Sequence, residues 1–307
     1  MISSLEGTAR LSVLALLPLL MACGPQGTEE AGEVAAPTPE EQQHVDAMAR
    51  EHADETPQPS PAVEGGPHEP IVTREVEYAE IDGRTVRGYL ARPEGGEAPP
   101  GVVVIHEWWG LNDNIRRMAD KLAGRGYAAL AVDLYQGQAA SEPDRARELM
   151  QEATGRQETL KQNLRTAHDY LVNEVGTPRT GVIGWCFGGG WALRTGFMIP
   201  ELDATVVYYG RVVTDEERLR NLSSPLLGHF GAEDQGIPVN SVRELEATLE
   251  ELDKAATIHV YEGAGHAFAN PSGSRYREEA AETAWDRTLD FFQEHLERSS
   301  GDSEESG

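Results

Sequence analysis

Cysteine is nearly absent from this chain: its 307 residues include two, Cys23 and Cys186. A disulfide framework is thereby excluded as the basis of the fold. Lysine is almost as scarce, with only Lys121, Lys161 and Lys254. Basic residues as a whole are outnumbered, 26 Lys plus Arg against 52 Asp plus Glu. A net charge of −26 leaves no basic face to neutralise phosphates, which argues against a nucleic-acid partner. A salt-adapted surface and an ordinary soluble, self-repelling one both fit this balance. Long apolar runs are lacking too. The longest lies near the start, and at about a dozen residues it is too short to span a bilayer as a mature helix. His, Cys and carboxylate residues do not cluster at ligand spacing, so neither a metal nor an organic cofactor is expected.

That first apolar run, LSVLALLPLLMACG, follows Arg10 and ends in small residues, the form of an export signal. Its end, Leu20-Met21-Ala22-Cys23, is similar to a bacterial lipobox, which would make residues 1–22 a signal peptide and Cys23 a lipidation site. An ordinary export signal with an incidental cysteine is the alternative. Residues 24–70 hold eleven acidic residues, one arginine and eight of the eighteen prolines. Such a segment reads as a disordered linker (23–70) that tethers a domain, and RSSGDSEESG as an acidic tail (298–307). Between them, 71–297 has the size of one α/β domain. The protein is expected to be exported, held at the cell envelope only through a lipid on Cys23, and monomeric.

From Val72 the chain alternates apolar and polar residues, turns at Asp82-Gly83 and continues through TVRGYLARP, which predicts a β-hairpin. Six continuous apolar runs follow: GVVVIH, YAALAVDL, TGVIGW, ATVVYYG, PLLGHFG and TIHVYEG. Runs of this kind are strands buried on both faces. The stretches between them, among them Leu160, Leu164, Ala167 and Leu171 and residues 113–124, 240–253 and 274–297, carry helical spacing. The alternation predicts an α/β fold: a doubly wound, mostly parallel sheet with helices on both faces and an N-terminal hairpin.

Ligands on such sheets bind at the carboxyl ends of the strands, and the chemistry-bearing residues fall there. Gly184-Trp185-Cys186-Phe187-Gly188 has the form of a nucleophile elbow with cysteine in place of serine. A buried cysteine in a glycine-rich packing turn would look the same. Chain order separates the two readings, because the elbow needs an acid and then a histidine downstream. Asp234 in HFGAEDQGIP and His266 in YEGAGHAF follow the next strand ends in that order, with Glu233 a neighbouring rival for the acid.

These motifs, together with IHEWWGLNDNIRRMADKLAGRGYAALAVDLY, GVIGWCFGGG, GAEDQGIP and GAGHAFANP, resemble the dienelactone hydrolase (carboxymethylenebutenolidase) family over 75–295. The resemblance implies an α/β-hydrolase fold and a catalytic triad of Cys186, Asp234 and His266. It implies a role for Glu107, which would hydrogen-bond the resting thiol and hold it neutral, since adjacent like charges resist joint ionisation. The backbone amides of Trp108 and Phe187 would form the oxyanion hole, with Trp108 and Trp109 walling the pocket. Family members grip a substrate carboxylate with two arginines. Ungapped alignment puts one at Arg145, with Arg147 a rival; the other position is Asn270, which cannot neutralise a carboxylate. Arg275 is a possible substitute further along.

The expected activity is hydrolysis of lactones or small carboxylic esters through an acyl-thioester on Cys186. A thiol peptidase or transferase is an alternative within the enzymes. A non-catalytic surface lipoprotein that binds a small ligand in the same pocket is the alternative from another class.

Overall fold

The structure, a computed structural model, describes residues 38–58, 67–95 and 98–297. Two long antiparallel strands, β1 (Ile71–Ile81) and β2 (Arg84–Pro93), are joined through Asp82 and Gly83, both at positive φ (52° and 68°). An Asp-Gly pair adopts this primed turn readily, and the turn matches the twist of the strands it joins. The six apolar runs form β3 (Gly101–Ile105), β4 (Ala128–Val132), β5 (Thr180–Trp185), β6 (Ala204–Tyr208), β7 (Leu226–Gly231) and β8 (Ala256–Tyr261). Every residue of β3 to β7 is buried. Their unbroken apolar sequence reflects cover on both faces.

The eight strands make one sheet in the order β1-β2-β4-β3-β5-β6-β7-β8, parallel from β4 to β8. The chain steps from β3 to β4 on one side, then returns to lay β5 against the other side of β3. The carboxyl ends of β3 and β5 therefore flank the switch point where a crevice opens. In chain order the helices are α1 (Pro39–Glu51), α2 (Asp113–Ala123), α3 (Pro143–Thr154), α4 (Gln157–Tyr170), α5 (Phe187–Met198), α6 (Glu216–Leu219), α7 (Val239–Glu251) and α8 (Glu278–Leu296). Leu160, Leu164 and Ala167 form the buried stripe of α4, as their spacing predicts.

Residues 38–58 depart from the expected linker. They fold as α1 and a following strap (52–58) packed on the domain. The local chemistry is that of a strong helix start: Thr38 accepts from the Glu41 amide, Glu41 accepts from the Thr38 amide, and Pro39 sits in the first turn. Val45 and Met48 are fully buried. Arg147 of α3 pairs with Asp46 (2.6 Å), Gln151 bonds Gln42 (3.0 Å), and the Gln58 amide donates to the Ser272 carbonyl (2.9 Å). Two buried apolar side chains give on the order of 1.5–3 kcal/mol each, enough to seat a short segment whose mean hydropathy alone reads as disorder. The proposed signal peptide, Cys23 and the acidic tail lie outside the described residues.

Replacing Val45 by Asp would bury an unpaired charge at a cost of several kcal/mol, more than α1 gains by docking. Limited proteolysis should then cleave within 38–58, while the unfolding free energy of the sheet from urea titration stays within about 0.5 kcal/mol of the parent. A loss of global stability by several kcal/mol would show instead that α1 is an integral part of the core.

Candidate active site

Cys186 sits between β5 and α5 with φ 54° and ψ −117°, a conformation that side chains rarely adopt. The glycines around it make the turn possible. A Cβ on Gly184 would lie 2.1 Å from the Gly188 carbonyl oxygen, and one on Gly188 would lie 2.4 Å from the Ile105 carbonyl oxygen. Backbone thus packs on backbone at both flanks, and the cysteine is held at the tip of β5 beside the end of β3. Phe187 opens α5, where amides have no intrahelical acceptor, and Trp108 follows β3 across the crevice.

Asp234 follows β7 and His266 follows β8. The Asp234 Oδ1 accepts from the amides of Gly236 (2.9 Å) and Ile237 (2.8 Å), which leaves Oδ2 aimed at His266 Nδ1, 2.8 Å away. Both side chains are completely buried. Glu233, the rival acid, is exposed. The ring of His266 then presents Nε2 toward Cys186, with Sγ and Nε2 within 4.8 Å of each other.

Burial pushes the Cys186 thiol up, but the neighbouring charge and approach of His266, and then of His52, outweigh it and lower the thiol to about 6. Burial opposes protonation of His266, yet Asp234 and the sulfur hold its pKa well above the usual imidazole value. Glu107 moves the other way: burial, and then the sulfur's charge, raise it to about 8. These shifts favour thiolate and imidazolium for the pair and the neutral carboxyl for Glu107. The expected contact of Glu107 with the thiol gives way to others: its two oxygens accept from Tyr209 and Asn270. The like-charge argument stands, but the member that neutralises is Glu107, which has no cation hydrogen-bonded to it.

Two further expectations are corrected. Asn270 does not line an open pocket: it is buried, its Nδ2 donates to Glu107 Oε2 (2.6 Å), and its Oδ1 accepts from Ser272 and Asn114. Tyr209 donates to the other Glu107 oxygen (3.4 Å). Arg145 lies on the outer face of α3, 40% exposed, bonded to Glu148 and Gln138, because its i+3 neighbour draws it along the helix surface. Its rival Arg147 and the alternative Arg275 both pair with the N-terminal segment, Arg275 with Glu51 at 3.3 Å and Glu55 at 3.9 Å.

That segment supplies what sequence reasoning missed. His52 stacks on Trp108 (4.7 Å between ring centroids) and meets His266 edge-on (5.2 Å), its Nδ1 bonded to Glu55. Met48 Sδ lies 3.8 Å from Cys186 Sγ. Trp109 packs edge-on against Trp108, both buried. Under this cover Cys186 is 1% exposed. Cavities of about 420 and 240 Å³ open elsewhere, beside Tyr127 and beside Arg87, and neither touches the cysteine. The spacing Val45, Met48, His52 was the available signal, a three-residue helical face after a capping box.

Ultraviolet titration of the reduced protein should place the Cys186 thiolate midpoint near pH 6. Above that midpoint the thiolate is present, and below it the signal fades. In His266→Ala the midpoint should move to or beyond the ordinary thiol value, because burial then acts with less opposition. A parent midpoint near the ordinary value would contradict the ion pair.

The profile of the Dienelactone hydrolase family matches residues 86–296. A protein of Saccharolobus solfataricus, assigned as a carboxymethylenebutenolidase, is 32% identical over 70% of this chain and 96% of its own length. The crystal structure of a Klebsiella pneumoniae protein assigned as a dienelactone hydrolase superposes with a TM-score of 0.67 at 28% identity, covering 73% of this chain and 99% of that one. A dienelactone hydrolase from Anabaena variabilis shares the fold, with a TM-score of 0.58 at 20% identity over 75% of this chain and 99% of its own. The chain belongs to the dienelactone hydrolase family and is a hydrolase of the lactone and carboxylic ester class on the α/β-hydrolase fold.

Proposed function

We propose that the hydrolysis runs through a Cys-His-Asp triad and a covalent acyl-thioester. The observation that carries this reading is the buried Asp234–His266 contact of 2.8 Å, with the far nitrogen of that ring turned to a strained, lowered-pKa cysteine. Cys186 as thiolate attacks the carbonyl carbon of the lactone or ester. The oxyanion is held by the amides of Trp108 and Phe187, and the His266 imidazolium gives its proton to the departing alkoxide. His266, now neutral, takes a proton from water, which attacks the thioester carbonyl and releases the acid. Asp234 keeps the ring in one tautomer through both steps, and neutral Glu107 adds no charge to repel the thiolate. In a lactone the leaving alkoxide stays attached to the acyl group, so ring opening and thioester hydrolysis give a single hydroxy acid.

The substrate class proposed is uncharged lactones and small esters. Neither position that the family uses for a substrate carboxylate offers a free guanidinium, since Arg145 is held on the surface and Asn270 holds Glu107. Substrate reaches Sγ only when the strap that carries His52 moves, so an opening step precedes chemistry. The signal-like start LSVLALLPLLMACG supports export with lipidation at Cys23. Nothing in the comparisons favours a non-catalytic binding lipoprotein.

Intact mass spectrometry of the reduced chain with p-nitrophenyl acetate should catch one acetyl group on Cys186. Cys186→Ala should lose the adduct and about 10³-fold or more of turnover while keeping its circular dichroism. Turnover that survives in Cys186→Ala, or an adduct mapped to another residue, would sink the proposal.

A further inference from the structure

Two imidazoles converge on one sulfur. One ring nitrogen from each of His52 and His266 lies within 4.8 Å of the other and of Cys186 Sγ, and all three residues are buried. Both Nε2 atoms lack a hydrogen-bond partner of good geometry. Behind each ring stands a carboxylate on Nδ1: Glu55 for His52 and Asp234 for His266. Carboxylates in that position fix the ring and raise its basicity, the outer-shell arrangement found around metal-bound histidines. A fourth soft atom, Met48 Sδ, lies 3.8 Å from the cysteine sulfur.

We propose that His52, Cys186 and His266 form a binding site for one thiophilic cation of the zinc and copper class, which pins the N-terminal strap over the nucleophile. Two imidazole nitrogens, a thiolate and a nearby thioether suit Zn²⁺ or copper and disfavour Mg²⁺ or Ca²⁺, which take oxygen ligands. Tetrahedral zinc bonds of about 2.0–2.3 Å require donors about 3.3–3.6 Å apart. From separations of at most 4.8 Å the trio closes by no more than about 1.5 Å on binding. His52 reaches the site from a segment separate from the sheet, so the strap can supply that closure. The ligands stand at positions 52, 186 and 266. No local ligand spacing exists for a motif search to find. A cation here displaces the His266 Nε2 proton to solvent and occupies that nitrogen and a sulfur lone pair, so on the hydrolase reading it also silences catalysis. Binding is measured directly, apart from activity.

The test uses the reduced, untagged full chain freed of metal with a chelator. Calorimetric titration with Zn²⁺ should give one site per chain with a Kd of about 1 μM or tighter. Titration with Co²⁺ should give a thiolate-to-metal charge-transfer band that is absent in Cys186→Ser. His52→Ala should weaken Zn²⁺ by about 100-fold, and Glu55→Gln, which keeps the ring packed on Trp108, by about 10–100-fold. Absence of a stoichiometric site in the parent, or parent-like affinity in both variants, would overturn the site. Either result leaves the hydrolase reading standing, since the acyl adduct is sought separately, on the same chelator-treated chain.

Discussion

Backbone pressed on backbone at the end of β5 is the constraint on which the site depends. Gly184 meets the carbonyl of Gly188, and Gly188 meets the carbonyl of Ile105, with no space for a side chain at either place. The chain can turn that tightly only by putting Cys186 at positive φ, a conformation that costs of order 1–3 kcal/mol and persists because the sheet on both sides fixes it. The reward is position. The sulfur stands clear of β5 at the switch point, beside the Trp108 turn after β3 and opposite the loops after β7 and β8.

Burial then decides the charges. Several kcal/mol are lost for each ion taken out of water, so a buried group stays charged only with a partner. Opposite charges about 4 Å apart recover roughly 4 kcal/mol at an effective dielectric of 20, which sustains thiolate and imidazolium together. Asp234 anchors that pair with two backbone amides behind it. Glu107 is bonded to neutral Tyr209 and Asn270, and it is the carboxyl that keeps its proton. His52 and Glu55 repeat the histidine–carboxylate arrangement beside the sulfur.

The hairpin, the six buried strands and the order Cys186, Asp234, His266 were legible in the sequence because each rests on local chemistry: an Asp-Gly turn, unbroken apolar runs and glycines that permit an elbow. Side-chain direction was not legible. Alignment puts Arg145 at a family position, but whether it faces inward depends on its helix neighbours, and Glu148 draws it outward. A departure from an arginine at a substrate-gripping position invites the reading that Asn270 faces substrate; its amide instead holds Glu107. The strap was missed because average composition hid a Thr38–Glu41 capping box and a face of Val45, Met48 and His52. Its docking depends on residues more than a hundred positions away, which no local window contains.

The central claim is that Cys186 and His266 rest as an ion pair beside a neutral Glu107. Nitrogen NMR of the histidine-labelled full chain at pH 7, with the His266 signal assigned by its loss in His266→Gln, tests it most directly. The account predicts that both ring nitrogens of His266 carry protons, as in imidazolium. A neutral ring with one bare nitrogen at that pH would contradict it.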